Sequence, residues 1–308
     1  MTMLTDLITL RETEPEDIRL LLDTAQSFKE ILERPVKKVP TLRGRQVVTL
    51  FYEASTRTRV SFENAAKIMS ADTTSVAAAS SSVQKGESLL DTARNLRAMR
   101  IDCLVMRHPQ SGAAHLVAQA LDIPVVNAGD GMHEHPTQAL LDMLTIRQHK
   151  GRLEGLTVAI VGDITHSRVA RSNLWGLTKM GAKVRFVAPA TLLPRDVHRL
   201  PVEVYTDLRE GIEGADVVMA LRLQQERMER GLLPSLREYS QRWGVNAKAL
   251  EVTKPDCIVM HPGPMNRGVE IADDVADSGR SVILEQVTNG VAIRMAVLYH
   301  LLGGEASA

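Results

Sequence analysis

Short, largely apolar runs alternate with helix-like segments along almost the whole chain, and this alternation restricts the fold more than any other feature. The runs are Val47 to Tyr52, Thr73 to Ala77, Cys103 to Met106, Val125 to Val126, Val158 to Val161, Val184 to Val187, Val217 to Leu221 and Cys257 to Met260. Each is too short for a helix of its own and is bounded by polar or glycine- and proline-bearing turns. A strand that faces solvent on one side alternates apolar with polar residues, whereas a strand apolar throughout is covered on both faces. Such strands with helices between them predict an α/β fold built on doubly wound parallel sheets.

Local signals agree. Thr13-Glu-Pro-Glu16 has the capping-box spacing, and Ile18, Leu21, Leu22, Ala25, Phe28, Ile31 and Leu32 follow on one helical face. The chain has 308 residues, about twice a usual domain of roughly 100 to 200. The best boundary is the glycine-bearing stretch Gly151-Arg-Leu-Glu-Gly155. Two domains are therefore expected, 1–150 and 151–308, with a last helix over about 284–302 long enough to cross back onto the first. The small-residue run Val76 to Ser82 reads as a mobile loop between a strand and a helix. No internal repeat is evident.

Charge and cysteine content then exclude several classes. Lys+Arg and Asp+Glu both number 37 and aromatic residues are 3% of the chain, so neither a global basic field nor stacking platforms for nucleic acid are expected. Cys103 and Cys257 lie far apart in apolar runs, which fits buried strand residues rather than a disulfide framework or thiolate zinc site. The first residues lack the basic and apolar regions of a signal peptide, and no apolar stretch approaches the roughly 18 residues of a membrane span. A cytoplasmic protein that binds neither membrane nor nucleic acid is the expectation.

Ligands of parallel sheets bind beyond the carboxyl ends of the strands. The residues there are unusually cationic. Glu53-Ala-Ser-Thr-Arg-Thr-Arg59 follows the first run and leads into a helix, so hydroxyls, first-turn N–H groups and an arginine gather where a phosphate would sit. Met106-Arg-His-Pro109 follows the third, and Asn127-Ala-Gly-Asp-Gly-Met-His-Glu-His-Pro-Thr-Gln138 the fourth. His135 at a helix start is favoured as a neutral N–H donor to a polarised carbonyl. In the second half, Arg168 lies at a strand-to-helix turn, Arg222 and Gln224 share one side of an extended segment, and His261-Pro-Gly-Pro264 is a rigid turn suited to presenting carbonyls. Any one of these arginines is an ordinary surface residue, and a bare Ser-Thr-Arg is an ordinary helix cap. Together, Arg57, Arg107, His135, Arg168 and Arg222 predict an interdomain cleft for a phosphate and one or more carboxylates.

Cofactor signatures are missing. Gly162 is followed by Asp163, which breaks the dinucleotide-binding spacing, and there is no Walker loop. His133 and His135 are two apart and share no helix face, so no metal is expected and His133 reads as a surface or supporting residue. The residues alone lead to a transferase that uses a phosphorylated donor and an acidic acceptor.

Several of these segments, in this order, resemble the aspartate/ornithine carbamoyltransferase family, and more closely its aspartate-specific catalytic chains. The carriers are Phe51-Tyr-Glu-Ala-Ser-Thr-Arg-Thr-Arg-Val-Ser-Phe62, Gln84-Lys-Gly-Glu87, Val105-Met-Arg-His-Pro109, His135-Pro-Thr-Gln138, Val161-Gly-Asp163 with Arg168, Arg222-Leu-Gln224 and His261-Pro-Gly-Pro264. The resemblance implies that carbamoyl phosphate and L-aspartate give N-carbamoyl-L-aspartate and phosphate, a step of pyrimidine biosynthesis that needs no cofactor. It assigns the phosphate to Ser55, Thr56, Arg57 and Thr58, with Arg107 bridging phosphate and carbonyl. Thr58, Arg107 and His135 would donate to the carbonyl oxygen, and Gln138 with the carbonyls of Pro262 and Gly263 would accept from the carbamoyl NH₂. Arg168, Arg222 and Gln224 would hold the aspartate carboxylates, beside Gly263, Pro264 and Lys85. Ser81 and Lys85 would come from a neighbouring subunit, which implies a homotrimer with shared active sites. Glu53 would pair with Arg168 and Arg227 on domain closure, or else balance the charge of Arg57 or Arg59.

The sequence departs from the family at Gly263, a leucine in many members, and at Met265-Asn-Arg267, where an arginine is common. This variant resembles the branch that works with dihydroorotase or related chains, so a higher assembly with dihydroorotase or a regulatory chain is a further expectation. An ornithine-specific enzyme is the nearest rival, but Pro262 stands where that branch carries a cysteine after the histidine, and Arg222 with Gln224 suit a dicarboxylate. An inactive anion-binding scaffold subunit is the other, and it would have no use for the oxyanion donors Arg107 and His135.

Overall fold

The computed structural model describes residues 4–77, 86–224, 227–228, 231–233 and 235–303. Its contacts divide the chain into two units, Met1–Leu144 with Thr288–Ala308, and Thr145–Val287.

In the first unit the chain runs α1 (Pro15–Glu33), β1 (Gln46–Phe51), α2 (Thr56–Ile68), β2 (Asp72–Ala77), α3 (Leu89–Ala98), β3 (Cys103–His108), α4 (Ala113–Ala120), β4 (Val125–Asp130) and α5 (Pro136–Lys150). The last of these helices continues into the second unit. The four strands form a parallel sheet in the order β2-β1-β3-β4. Burial explains the apolar runs of β1, β3 and β4, where Val47, Leu50, Leu104, Val105, Met106, Val125 and Val126 have at most a trace of exposed surface; the run over β2 does not fit, since this edge strand has no buried residue. Cys103 is buried in β3, and burial pushes its thiol up, as it does that of Cys257.

Two local expectations fail here. The helix begins one residue later than the capping-box spacing places it, at Pro15 behind Glu14, which makes no side-chain cap bond. The Thr13 hydroxyl donates to the carbonyl of Thr9 at 2.6 Å. Proline at the first helical position needs no capped N–H and presets the backbone, so it starts the helix by itself. Val76 and Ala77 fall in both the strand run Thr73 to Ala77 and the loop reading Val76 to Ser82; they are the end of β2 and pair with Leu50 and Phe51, so the loop does not begin at Val76. The rest of that run, with Ser81 and Lys85, lies outside the described residues.

The second unit continues with β5 (Thr157–Val161), α6 (Arg168–Lys179), β6 (Lys183–Val187), β7 (Glu203–Tyr205), α7 (Leu208–Ile212), β8 (Val217–Ala220), α8 (Leu236–Trp243), β9 (Ile258–Met260), α9 (Asp273–Ala276) and α10 (Ile283–Leu302). Its sheet is also parallel, in the order β7-β6-β5-β8-β9. In its core Ala159, Val161, Val187, Val218, Ala220 and Val259 from the strands pack with Leu208, Ile212 and Ile271. The edge strand β7 carries no apolar run, since Glu203 and Val204 are exposed, and the sequence holds no signal for it.

The strand orders matter for function. In the first sheet the chain goes from β1 to β2 on one side and to β3 on the other, so the order reverses between β1 and β3. In the second it reverses between β5 and β8. Such reversals open a crevice at the carboxyl ends of the strands, where parallel sheets bind their ligands.

Candidate active site

The segments that follow β1, β3, β5 and β8 sit at these two reversals, whereas the His135 segment follows the edge strand β4 and the His261 turn follows the edge strand β9. In the first sheet, Phe51 at the end of β1 is in register with Arg107 near the end of β3. Ser55 is the N-cap of α2, extended at φ −158°, and its hydroxyl makes no cap bond to the helix. Thr56 and Arg57 are exposed, and Thr58 is buried. The first turn of a helix has N–H groups without intrahelical partners and carries the positive end of the dipole. Here that turn is Thr56-Arg57-Thr58, a site suited to an anion.

Arg107 is held in place. Its Nε donates to Glu53 Oε2 at 3.1 Å and its Nη1 to the carbonyl of Ala128 at 3.4 Å. Arg59, the second arginine of the motif, lies 3.9 Å from Glu63 one turn along the helix. Next to Arg107, burial lowers the pKa of the His108 imidazole, and its Nδ1 accepts from the backbone N–H of Gln110.

His135 immediately precedes α5 and is 4% exposed. Its carbonyl accepts the N–H of Gln138 at 3.0 Å. The preceding loop is fixed by buried polar residues. Asp130 Oδ1 accepts from Asn127 Nδ2 at 2.7 Å, its Oδ2 accepts from the Gly112 N–H at 2.7 Å, and the His133 ring meets the same carboxylate at 3.1 Å. Glu134 accepts the N–H groups of Leu10 and Arg11. His133 and Glu134 are thus engaged in holding the loop that presents His135. Gln138 Nε2 donates to Asp142 Oδ1 at 3.0 Å on the next helical turn.

In the second sheet, Gly162 follows β5 at φ 130°, and a Cβ there would come within 2.9 Å of the Leu221 carbonyl oxygen. Only glycine lets the ends of β5 and β8 approach so closely. The approach brings Asp163, fully buried, to the loop after β8. One carboxylate oxygen accepts the His166 N–H at 3.2 Å and meets its Nδ1 at 2.8 Å; the other accepts the Gln224 N–H at 3.3 Å. The Gln224 amide in turn donates to the His166 carbonyl at 3.1 Å, as does Arg227 Nη1 at 3.5 Å. Arg168, the first residue of α6, is 4% exposed, and Arg222 is half-buried.

The late turn follows β9. The Gly263 N–H donates to His261 Nδ1 at 2.8 Å, which leaves Nε2 as the protonated nitrogen facing Glu270 Oε1 at 3.2 Å. Gly263 has φ 65° and is followed by a cis peptide to Pro264. A left-handed φ is unstrained for glycine and costs most other residues about 1 kcal/mol. That is the local consequence of glycine at the position where the sequence departs from the motif it resembles.

Sequence reading brought out the residues after the strands but not the ones that hold them. Asp142, Asp163 as a ligand of the Gln224 backbone, and the His261–Glu270 pair were missed. Asp142 lies four residues after Gln138 in a helix, and that spacing is the signal that points to it.

The carbamoyl-phosphate-binding domain model of the aspartate/ornithine carbamoyltransferases matches residues 5–148, and the model of their Asp/Orn-binding domain matches residues 154–301. The aspartate carbamoyltransferase catalytic subunit of Desulforamulus reducens is 63% identical over 300 residues, covering 97% of this chain and 96% of that protein. Among solved structures, aspartate transcarbamoylase from Trypanosoma cruzi in complex with N-(phosphonacetyl)-L-aspartic acid is 32% identical with a TM-score of 0.89, covering 97% of this chain and 96% of the other. Ornithine carbamoyltransferase from Pyrococcus furiosus is 30% identical with a TM-score of 0.89, covering 97% of both chains. Two matched domain models and full-length relatives lead to one conclusion: the chain belongs to the aspartate/ornithine carbamoyltransferase family.

Proposed function

We propose that the chain transfers the carbamoyl group of carbamoyl phosphate to the amino group of L-aspartate, giving N-carbamoyl-L-aspartate and phosphate. The observation that carries this reading is the position of the cationic residues at both strand-order reversals, Arg57 and Arg107 in one sheet and Arg168 and Arg222 in the other. One set suits a phosphate and a carbonyl, the other a dicarboxylate. The 63% identity to an aspartate carbamoyltransferase favours aspartate over ornithine as the acceptor.

In this reading Ser55, Thr56, Arg57 and Thr58 bind the phosphate, and Arg168, Arg222 and Gln224 bind aspartate near the turn Pro262-Gly263-Pro264. The amine attacks the carbamoyl carbon directly, without a covalent enzyme intermediate. Negative charge builds on the carbonyl oxygen, and Thr58, Arg107 and His135 donate to it. Gln138 and the carbonyls of Pro262 and Gly263 accept from the carbamoyl NH₂. As the tetrahedral intermediate collapses, the C–O bond to phosphate breaks and the departing phosphate takes the amine proton. Positioning of two anions and stabilisation of the oxyanion supply the acceleration.

Glu53, Arg168 and Arg227 are the proposed closure residues. Ser81 and Lys85 of a neighbouring copy complete each site of a homotrimer. The reaction belongs to pyrimidine biosynthesis in the cytoplasm, and a further assembly with dihydroorotase or a regulatory chain is part of the proposal. The test is product analysis. Purified protein given carbamoyl phosphate and L-aspartate should form phosphate and N-carbamoyl-L-aspartate in equal amounts, and Arg107→Ala should lose both. Phosphate release without the carbamoylated product contradicts the assignment.

A further inference from the structure

Behind Gln138 lies a buried charged cluster that the reaction scheme does not use. Asp142, on α5, is fully buried and accepts from Gln138 Nε2 at 3.0 Å. Arg294, on α10, is 4% exposed; its Nη1 donates to Ser61 Oγ on α2 at 2.8 Å, and its guanidinium lies 4.9 Å from the centre of the Phe62 ring. Burial lowers the Arg294 pKa to about 10, and the Asp142 carboxylate acts in the opposite direction. Asp142 and Arg294 are therefore mutual counter-charges, and through Ser61 the cluster reaches the helix whose first turn carries the phosphate motif. Burying two charges is costly and contributes little net stability by itself. A cluster of this kind fixes one arrangement of its neighbours.

What it fixes is the amide of Gln138. A carboxylate only accepts hydrogen bonds, so the amide must turn its NH₂ toward Asp142. The opposite orientation would set two acceptor oxygens against each other at the same distance, away from water. Gln138 Oε1 is thereby reserved as an acceptor. We infer that Asp142 is a positioning residue for donor recognition: it orients Gln138 so that the site accepts from the NH₂ of the transferred group and distinguishes a carbamoyl from an acyl phosphate. This rests on the proposed contact between Gln138 and the carbamoyl NH₂.

Acetyl phosphate separates the possibilities, because it replaces that NH₂ by a methyl group of similar size. The measured quantities are the KM for carbamoyl phosphate and the inhibition constant of acetyl phosphate as its competitor. In Asp142→Asn the amide can face its neighbour either way, and the KM should rise about tenfold, the loss of one oriented hydrogen bond. The acetyl phosphate constant should stay within about twofold, since its methyl never used the acceptor. A purely structural role would weaken both by the same factor and overturns the inference, as does an unchanged KM. Gln138→Met tests the parent reading separately. If it leaves the KM unchanged, the contact of Gln138 with the NH₂ is wrong and the inference falls with it; if it alone raises the KM, only the role of Asp142 falls. Should Asp142→Asn not fold, Asp142→Glu keeps the charge opposite Arg294 while displacing the carboxylate. The same selective rise in KM is then expected, and a wild-type ratio overturns the role.

Discussion

Arg107 and Glu53 form an ion pair, Nε to Oε2 at 3.1 Å, with side chains only 15% and 20% exposed. Neither sequence-based reading of Glu53 included this partner. In the proposed reaction Arg107 bridges phosphate and carbonyl, a role that requires it to be held before substrate arrives, and a charge-assisted bond to a carboxylate does this. Glu53→Ala should therefore lower turnover by roughly 10- to 100-fold, corresponding to the roughly 1.5–3 kcal/mol of such a bond. Glu53→Gln keeps an acceptor and should recover most of the loss. Steady-state kinetics with direct binding of carbamoyl phosphate check this; tighter binding with normal turnover in Glu53→Ala would mean that the carboxylate only balances charge.

His135 is buried immediately before the start of α5. His135→Ala should lower turnover by roughly 10²- to 10³-fold, as for loss of one oxyanion donor, and leave carbamoyl phosphate affinity largely intact. The pairing of kcat with an equilibrium binding constant is the measurement, and unchanged turnover removes His135 from the reaction.

Sharing of the site between copies is testable without a structure of the assembly. Inactive Lys85→Ala and inactive Arg57→Ala proteins, mixed under conditions that exchange subunits, should regain activity. Some hybrid sites then contain neither lesion. Hybrids that exchange and stay inactive contradict the contribution of Lys85 from a neighbour.

The loop that presents His135 should carry an acid-labile contribution to stability. Burial alone would raise the Asp130 carboxyl, but bonds from His133, Asn127 and the Gly112 N–H outweigh it and hold the pKa below the ordinary 3.8. A folded pKa below the unfolded one contributes stability above the unfolded value and loses it as pH falls through the folded one. Asp130→Asn should cost about 2 kcal/mol at neutral pH, and the gap from wild type should narrow as the pH falls below 3.8. Denaturant titrations at a series of pH values measure it; a gap independent of pH contradicts the account.

How much was legible follows from where the information lies. The strands could be read because burial on both faces demands an apolar run, as at Val158 to Val161. β7 could not, because a three-residue edge strand with two exposed residues needs none. β4 was legible only at Val125 and Val126, since its second half is buried through polar side chains, Asn127 and Asp130, that satisfy each other. Arg57, Arg107, Arg168 and Arg222 stood out because they follow strands. The partners that orient such residues are set by packing between distant segments: Ser61 and Arg294 are 233 residues apart, and no local pattern joins them.

The central claim is carbamoyl transfer to a dicarboxylate acceptor. It is tested most directly by offering purified protein carbamoyl phosphate with L-aspartate and with L-ornithine in parallel and comparing kcat/KM. A ratio favouring L-aspartate by several orders of magnitude is predicted, because the Arg222 guanidinium complements a second carboxylate and repels an ammonium group. Faster carbamoylation of L-ornithine would contradict it.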